Sequence, residues 1–164
     1  MRLKRRTQLC AFVLGCAAVA LCVGVLFDAE RATAAITEEE RAIRRAALDY
    51  IEAQHKVDGA RMERSVHPLL VKRAVYANRK SGKQFLLDTT SERMIQLAET
   101  YNRAGDKFPK KPKKEVIIFD RVDSAASVKL IADEWIDYMH LAKLNGQWKV
   151  VNVLWQYHDV KRHR

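Results

Sequence analysis

Apolar positions in this chain repeat with two different periods, and the alternation between them divides it into elements. Ile43, Ala46, Ala47, Tyr50 and Ile51 recur at helical spacing, while Arg45 with Asp49 and Glu52 with Lys56 form i,i+4 pairs on the other side. Thr37-x-x-Glu40 has the form of a capping box with acids in the first turn, where the helix dipole favours them. A helix is therefore predicted from Thr37 to Asp58-Gly59, followed by a short one over residues 59–66 that Pro68 closes. A second capping box, Thr89-x-x-Glu92, precedes Met94, Ile95, Leu97, Ala98 and Tyr101, a third helix that stops near Gly105.

Elsewhere the residues are β-branched and aromatic, as strands require. Residues 71–76 and 84–87 predict two short strands around a 78–83 turn, and residues 116–122 a longer one. After Asp123-Ser124, residues 126–137 predict a strand that continues into a hairpin turned at Asn145-Gly146, the dipeptide that most readily supplies two positive φ angles. The order is that of an α+β fold in which helices cover one face of a curved antiparallel sheet.

The hairpin fixes a register. With a two-residue turn, Leu144 faces Gln147, which sets Lys143 opposite Trp148, Leu141 opposite Val150, Met139 opposite Asn152 and Asp137 opposite Leu154. One face then carries Trp135, Asp137, Met139, Leu141, Trp148, Val150, Asn152 and Leu154; the other carries Ile136, Tyr138, His140, Ala142, Val151, Val153 and Trp155. A one-residue bulge would exchange the faces.

The N-terminus changes the picture of where this domain works. Basic Met1–Arg6, an apolar run over residues 9–27 and Ala32-Thr33-Ala34 read in order as a signal peptide, so residues 1–34 are assigned to export and residues 35–164 to a single secreted or periplasmic domain. The alternative is an uncleaved inner-membrane anchor, the one route to a membrane this sequence offers. Cys10, Cys16 and Cys22 all precede Ala34, so the exported domain has neither disulfide nor thiolate chemistry. The net charge of +10 falls to +7 with the loss of five basic and two acidic residues. Its densest block, KFPKKPKK at residues 107–114, is broken by Pro109 and Pro112 into an extended, solvated loop, and no nucleic-acid partner is expected. The chain has no H-E-x-x-H, P-loop, G-x-G-x-x-G or G-x-S-x-G, so no metal and no cofactor is predicted.

Ala46 with Leu48-Asp49-Tyr50-Ile51, Arg61-Met62-Glu63-Arg64 with His67-Pro68, Ala126-Ser127-Val128-Lys129 and the whole of residues 137–155 resemble the nuclear transport factor 2-like superfamily. Within it the likeness is to the group named Putative lumazine-binding, near the SnoaL-like proteins. The resemblance implies a cone-shaped fold in which a bent sheet wraps a long helix and leaves a pocket, often in a homodimer paired through the sheet. Trp148 resembles the inward tryptophan of that fold, which assigns the first hairpin face to the pocket. Tyr50, Trp135, Asp137, Met139 and Asn152 then become pocket candidates; Tyr138, His140, Val151, Val153 and Trp155 become dimer-interface candidates, since an apolar outer sheet marks a partner.

Two readings of the pocket follow. Asp137 is an acid-base group, with Asn152 orienting a ligand, Tyr50 donating from the helix and His67 assisting at the mouth, as in the isomerases, dehydratases and cyclases that the resemblance implies. Alternatively Asp137 and Asn152 bond each other or the backbone, Tyr50 is core, His67 caps a helix, and the domain binds a small apolar molecule or a protein. No complete acid-base set is legible, which favours the binding module over the enzyme. A third possibility is an anchored component of an envelope assembly.

Overall fold

Helix α1 occupies residues 38–56 and turns a stripe of Ile43, Ala46, Ala47, Tyr50, Ile51 and Ala53 into the core. The chain leaves α1 through Val57 at φ 55°, while Asp58 N–H closes back on Ala53 O at 2.9 Å. Asp58 then caps α2 (Gly59–Ser65) by accepting from Arg61 N–H at 2.8 Å. These coordinates are a computed structural model that describes residues 38–159. The predicted signal segment, its three cysteines, the Thr37 cap and residues 160–164 lie outside the described residues.

Pro68 does not close α2. Strand β1 runs from Val66 to Ala77, and Pro68 sits in the stretch between Val66 and Val71 where the ladder to its neighbour is interrupted, so its missing N–H costs no pairing. Its carbonyl accepts from Ser91 Oγ at 2.8 Å. Strand β2 spans Gln84–Thr90, longer than predicted, and Thr90 rather than Thr89 caps α3 (Ser91–Thr100), accepting from Arg93 N–H at 3.4 Å. β2 stays paired with β1 through Thr90, opposite Val71, so the helix starts one residue later than predicted.

The remaining strands are β3 (Lys114–Arg121), β4 (Ala125–Ala132), β5 (Trp135–Leu144) and β6 (Gln147–Tyr157). The predicted continuous strand over residues 126–137 is in fact two, joined by a turn at Asp133-Glu134. Asp133 takes φ 49° there, a conformation aspartate tolerates, and its Oδ1 accepts from Lys113 N–H at 2.9 Å. Asn145 and Gly146, at φ 50° and 79°, make the predicted hairpin turn. The six strands form one curved, unclosed sheet in the order β2-β1-β6-β5-β4-β3, antiparallel except where β1 runs parallel to β6.

The hairpin register holds from Leu144–Gln147 to Leu141–Val150 and then slips by one residue, because a bulge at Val151 pairs His140 with Asn152 and Asp137 with Trp155. The faces of β6 exchange beyond it. Val153 is fully buried in the core with Met139, Leu141, Trp148 and Val150, and Asn152 and Leu154 turn outward. On β1, Val66 pairs with Val150 and Val71 with Asn152, so both edges of β6 adjust at the same place.

Candidate functional site

Between α1, α3 and the inner faces of β1, β2, β5 and β6 lies an open cleft of about 230 Å³. α1 contributes Ile51 and Gln54, α3 contributes Met94 and Leu97, and the sheet contributes Lys72, Tyr76, Leu87, Thr89, Trp135, Asp137, Trp155 and Tyr157. Tyr101 and Phe108 complete it from the segment that follows α3.

Its walls are an almost continuous arc of rings. Tyr76 meets Trp155 at 6.5 Å, Trp155 meets Tyr157 at 5.3 Å, and Tyr157 meets Trp135 at 6.2 Å. Phe108 continues the arc at 5.5 Å from Trp135, and Tyr101 lies 5.8 Å further on. Tilted and edge contacts of this kind suit the ring quadrupole and leave ring faces available to a ligand.

Polar groups converge behind the rings. Lys72 Nζ donates to Tyr50 Oη at 2.7 Å and to Asp137 Oδ1 at 3.1 Å, and sits 4.9 Å over the Trp155 ring. The lysine reaches across β6 to do this, since alternation along β1 puts Lys72 on the inner face and Arg73 on the outer. The Lys72 side chain is 12% exposed and that of Asp137 only 1%, so the two charges compensate each other out of water. Burial first, and then the Asp137 charge, push the Tyr50 phenol well above its usual range. Burial likewise raises Tyr157, with Tyr76, Tyr101 and Glu134 adding to it. Both phenols are neutral hydrogen-bonding groups at physiological pH.

The predicted pocket residues separate on this geometry. Trp135 and Asp137 line the cleft, Met139 is buried in the core, and Tyr50 lies fully buried beneath Lys72. Asn152 is not in the pocket: the Val151 bulge turns it outward, where it accepts from Arg73 Nη1 at 3.1 Å and faces His140 Nδ1 at 3.4 Å. Trp155 and Val153 are likewise withdrawn from the outer face, to the cleft and the core respectively, while Tyr138 and His140 remain exposed there. Val151 is the extra residue of the bulge. His67 does not line the cleft; its Nδ1 accepts from Leu69 N–H at 3.1 Å inside β1. Lys72, the aromatic role of Trp155 and Phe108, and the polar edges of Gln54 and Thr89 were not foreseen. The alternation of Lys72, Ala74 and Tyr76 within a predicted strand was the one signal for the lysine.

A curved, unclosed sheet carrying helices on one face and a cleft at their junction is the nuclear transport factor 2-like fold, and solved structures with that fold match this chain. A nuclear transport factor 2-like protein of unknown function from Shewanella baltica is 22% identical, with a TM-score of 0.57 over 75% of this chain and 96% of that one. Another from Silicibacter pomeroyi is 17% identical, with a TM-score of 0.56 over 75% and 98%. A ketosteroid isomerase-like protein from Erwinia carotovora atroseptica is 14% identical, with a TM-score of 0.50 over 74% and 98%. The family described as Putative lumazine-binding matches residues 38–156, and the chain belongs to that family. No curated protein matches it in sequence.

Proposed function

We propose that the domain is a binding module for a small, largely apolar molecule held in the aromatic cleft. The observation that carries this reading is the arc of rings from Tyr76 to Phe108 closing on a polar base in which Lys72 and Asp137 already satisfy each other. A general base needs a carboxylate free to meet a substrate proton. Here one Asp137 oxygen is engaged by Lys72, and the phenol beside it is buried, which supports recognition over proton transfer. Gln54 and Thr89 at the cleft wall would orient a polar edge of the ligand.

The test is native mass spectrometry of the chain purified from its own cells. A reproducible small-molecule adduct that disappears in Trp155→Ala supports the reading. A chain that carries no adduct and turns over a ketone or enol substrate in an Asp137-dependent manner would replace it with the acid-base enzyme.

The basic, apolar and small segments in residues 1–34 support an exported address for this binder, and among the described residues no helix is long and apolar enough to cross a membrane. A second copy of the chain is the proposed occupant of the outer sheet face. That face exposes Leu86 and Val75 on β2 and β1, and Leu154, Tyr138 and Phe119 on β6, β5 and β3.

A further inference from the structure

The basic block at residues 107–114 has a definite place on this molecule. Phe108, inside it, forms one wall of the cleft, with its ring 4.3 Å from His55 and 5.5 Å from Trp135. The segment is fastened at both ends. Asn102 Nδ2 donates to His55 O at 2.8 Å while its Oδ1 accepts from Lys107 N–H at 3.0 Å. Lys113 N–H donates to Asp133 Oδ1 at 2.9 Å, and Asp133 N–H donates to Lys113 O at 3.2 Å. Pro109 and Pro112 restrict the chain between those anchors. Lys110 and Lys111 lie within this anchored stretch, two and three residues after the ring that walls the cleft.

Carboxylates account for part of this charge. Lys107 pairs with Asp106 at 3.3 Å and Lys114 with Glu52 at 2.7 Å. Lys110, Lys111 and Lys113 are exposed and make no ion pair among the described residues. Inside the cleft the charges of Lys72 and Asp137 cancel. The site therefore combines an apolar, aromatic, electrically balanced interior with a flanking segment whose Lys110, Lys111 and Lys113 make no ion pair among the described residues.

We infer that the ligand is an amphipathic organic anion, with an aromatic or aliphatic body lying among Tyr76, Phe108, Trp135 and Trp155 and an acidic head held by Lys110, Lys111 and Lys113. This rests on the binding reading above and names the chemistry it selects. Exposed ammonium groups bind weakly and are screened by salt, so the rings supply the affinity and the lysines select the sign of the head group. At about 230 Å³ the cleft takes a buried body somewhat smaller than a drug-sized ligand, whose sites begin at roughly 300 Å³.

Two probes with a common ring system separate the terms. 8-Anilinonaphthalene-1-sulfonate carries an acidic head, and N-phenyl-1-naphthylamine is the same molecule without it. Each is titrated into the full chain, into the combined Lys110→Gln, Lys111→Gln, Lys113→Gln variant, and into Trp155→Ala, with tryptophan-sensitised emission as the readout. At low salt the sulfonate is expected to bind roughly ten-fold more tightly than the neutral probe, the Coulomb preference of a few exposed charges. That advantage should vanish in the triple variant and at high salt. The neutral probe should be indifferent to the triple variant and lose its binding in Trp155→Ala, or in Tyr76→Ala where Trp155→Ala does not fold. Equal affinity for the two probes, or an advantage that survives the triple variant, overturns the anion inference while leaving the cleft as a binding site. Binding of the neutral probe that is insensitive to both aromatic variants overturns the cleft reading itself.

Discussion

Lys72 and Asp137 meet at 3.1 Å although their strands are not neighbours: β6 runs between β1 and β5, and the lysine spans it on the inner face. With 12% and 1% of their side chains exposed, each is a charge that the fold tolerates only because the other is there. Lys72→Met should therefore cost about 3–5 kcal/mol, the penalty for leaving a buried carboxylate unpaired. The double change Lys72→Met with Asp137→Leu should recover most of that loss, to within about 1–2 kcal/mol of the original chain. Urea unfolding of the single and double variants measures it. Additive losses would mean that the two groups are not coupled.

Glu52 makes the acid limb of stability specific. Burial alone would raise its carboxyl, but hydrogen bonds from Lys114 and Arg45, with their charges, hold it down at about 2 against a usual 4.5. A carboxyl lowered in the folded state binds fewer protons there than in the unfolded chain, so its contribution is present above about 4.5 and is lost as pH falls towards about 2. Glu52 also accepts from Arg61 at 2.7 Å, and so joins α1, α2 and β3. In Glu52→Gln the dependence of unfolding free energy on pH across that window should be shallower. An unchanged slope would place the acid sensitivity elsewhere.

Val57 carries backbone strain that the sequence did not announce. Asp58-Gly59 is the natural place to end α1, yet Val57 takes the left-handed position at φ 55°, leaving Asp58 to cap α2 and Gly59 to start it. A β-branched residue in that conformation costs roughly 1–2 kcal/mol. Val57 is 36% exposed, so little packing offsets the strain. Val57→Gly should stabilise the domain by about 1 kcal/mol, read as a higher denaturant midpoint at constant slope. A lower midpoint would show that the valine contacts outweigh the strain.

What could be read in advance follows the range of the interactions involved. The Asn145-Gly146 turn and the register out to Leu141 and Val150 are set by neighbours in sequence, and both stand in the structure. The Val151 bulge is set from the other side of β6, where β1, some eighty residues away, pairs in parallel and shifts its own register between Val66 and Val71. That non-local constraint moved Asn152 out of the site and Trp155 into it. Lys72 was hidden for the same reason: which face of β1 points inward depends on a parallel partner that periodicity cannot name. The Asp133-Glu134 turn was missed because Asp133 is held in place by Lys113, a residue at the far end of a different loop.

The same bulge decides which residues a second copy would touch. Leu154 replaces Val153 and Trp155 on the outer face and lies opposite Tyr138, whose ring stacks at 6.3 Å on Phe119; Val75 lies opposite Leu86 on the other half of the sheet. These five residues are between 43% and 59% exposed, two apolar groups with no helix over them among the described residues. Leu154→Arg places a charge among them, where a self-complementary interface sets it against its own copy. Sedimentation velocity should show a dimer for the original chain and a monomer for Leu154→Arg, with the denaturant midpoint becoming independent of protein concentration in the variant alone. Trp148→Ala is the contrasting change: Trp148 is 6% exposed on the inner face, so its truncation should cost about 3–5 kcal/mol in stability without changing the oligomeric state of the molecules that remain folded. A chain that sediments as a monomer before any substitution would remove the second copy from the outer face and leave the cleft as the one proposed contact with a partner.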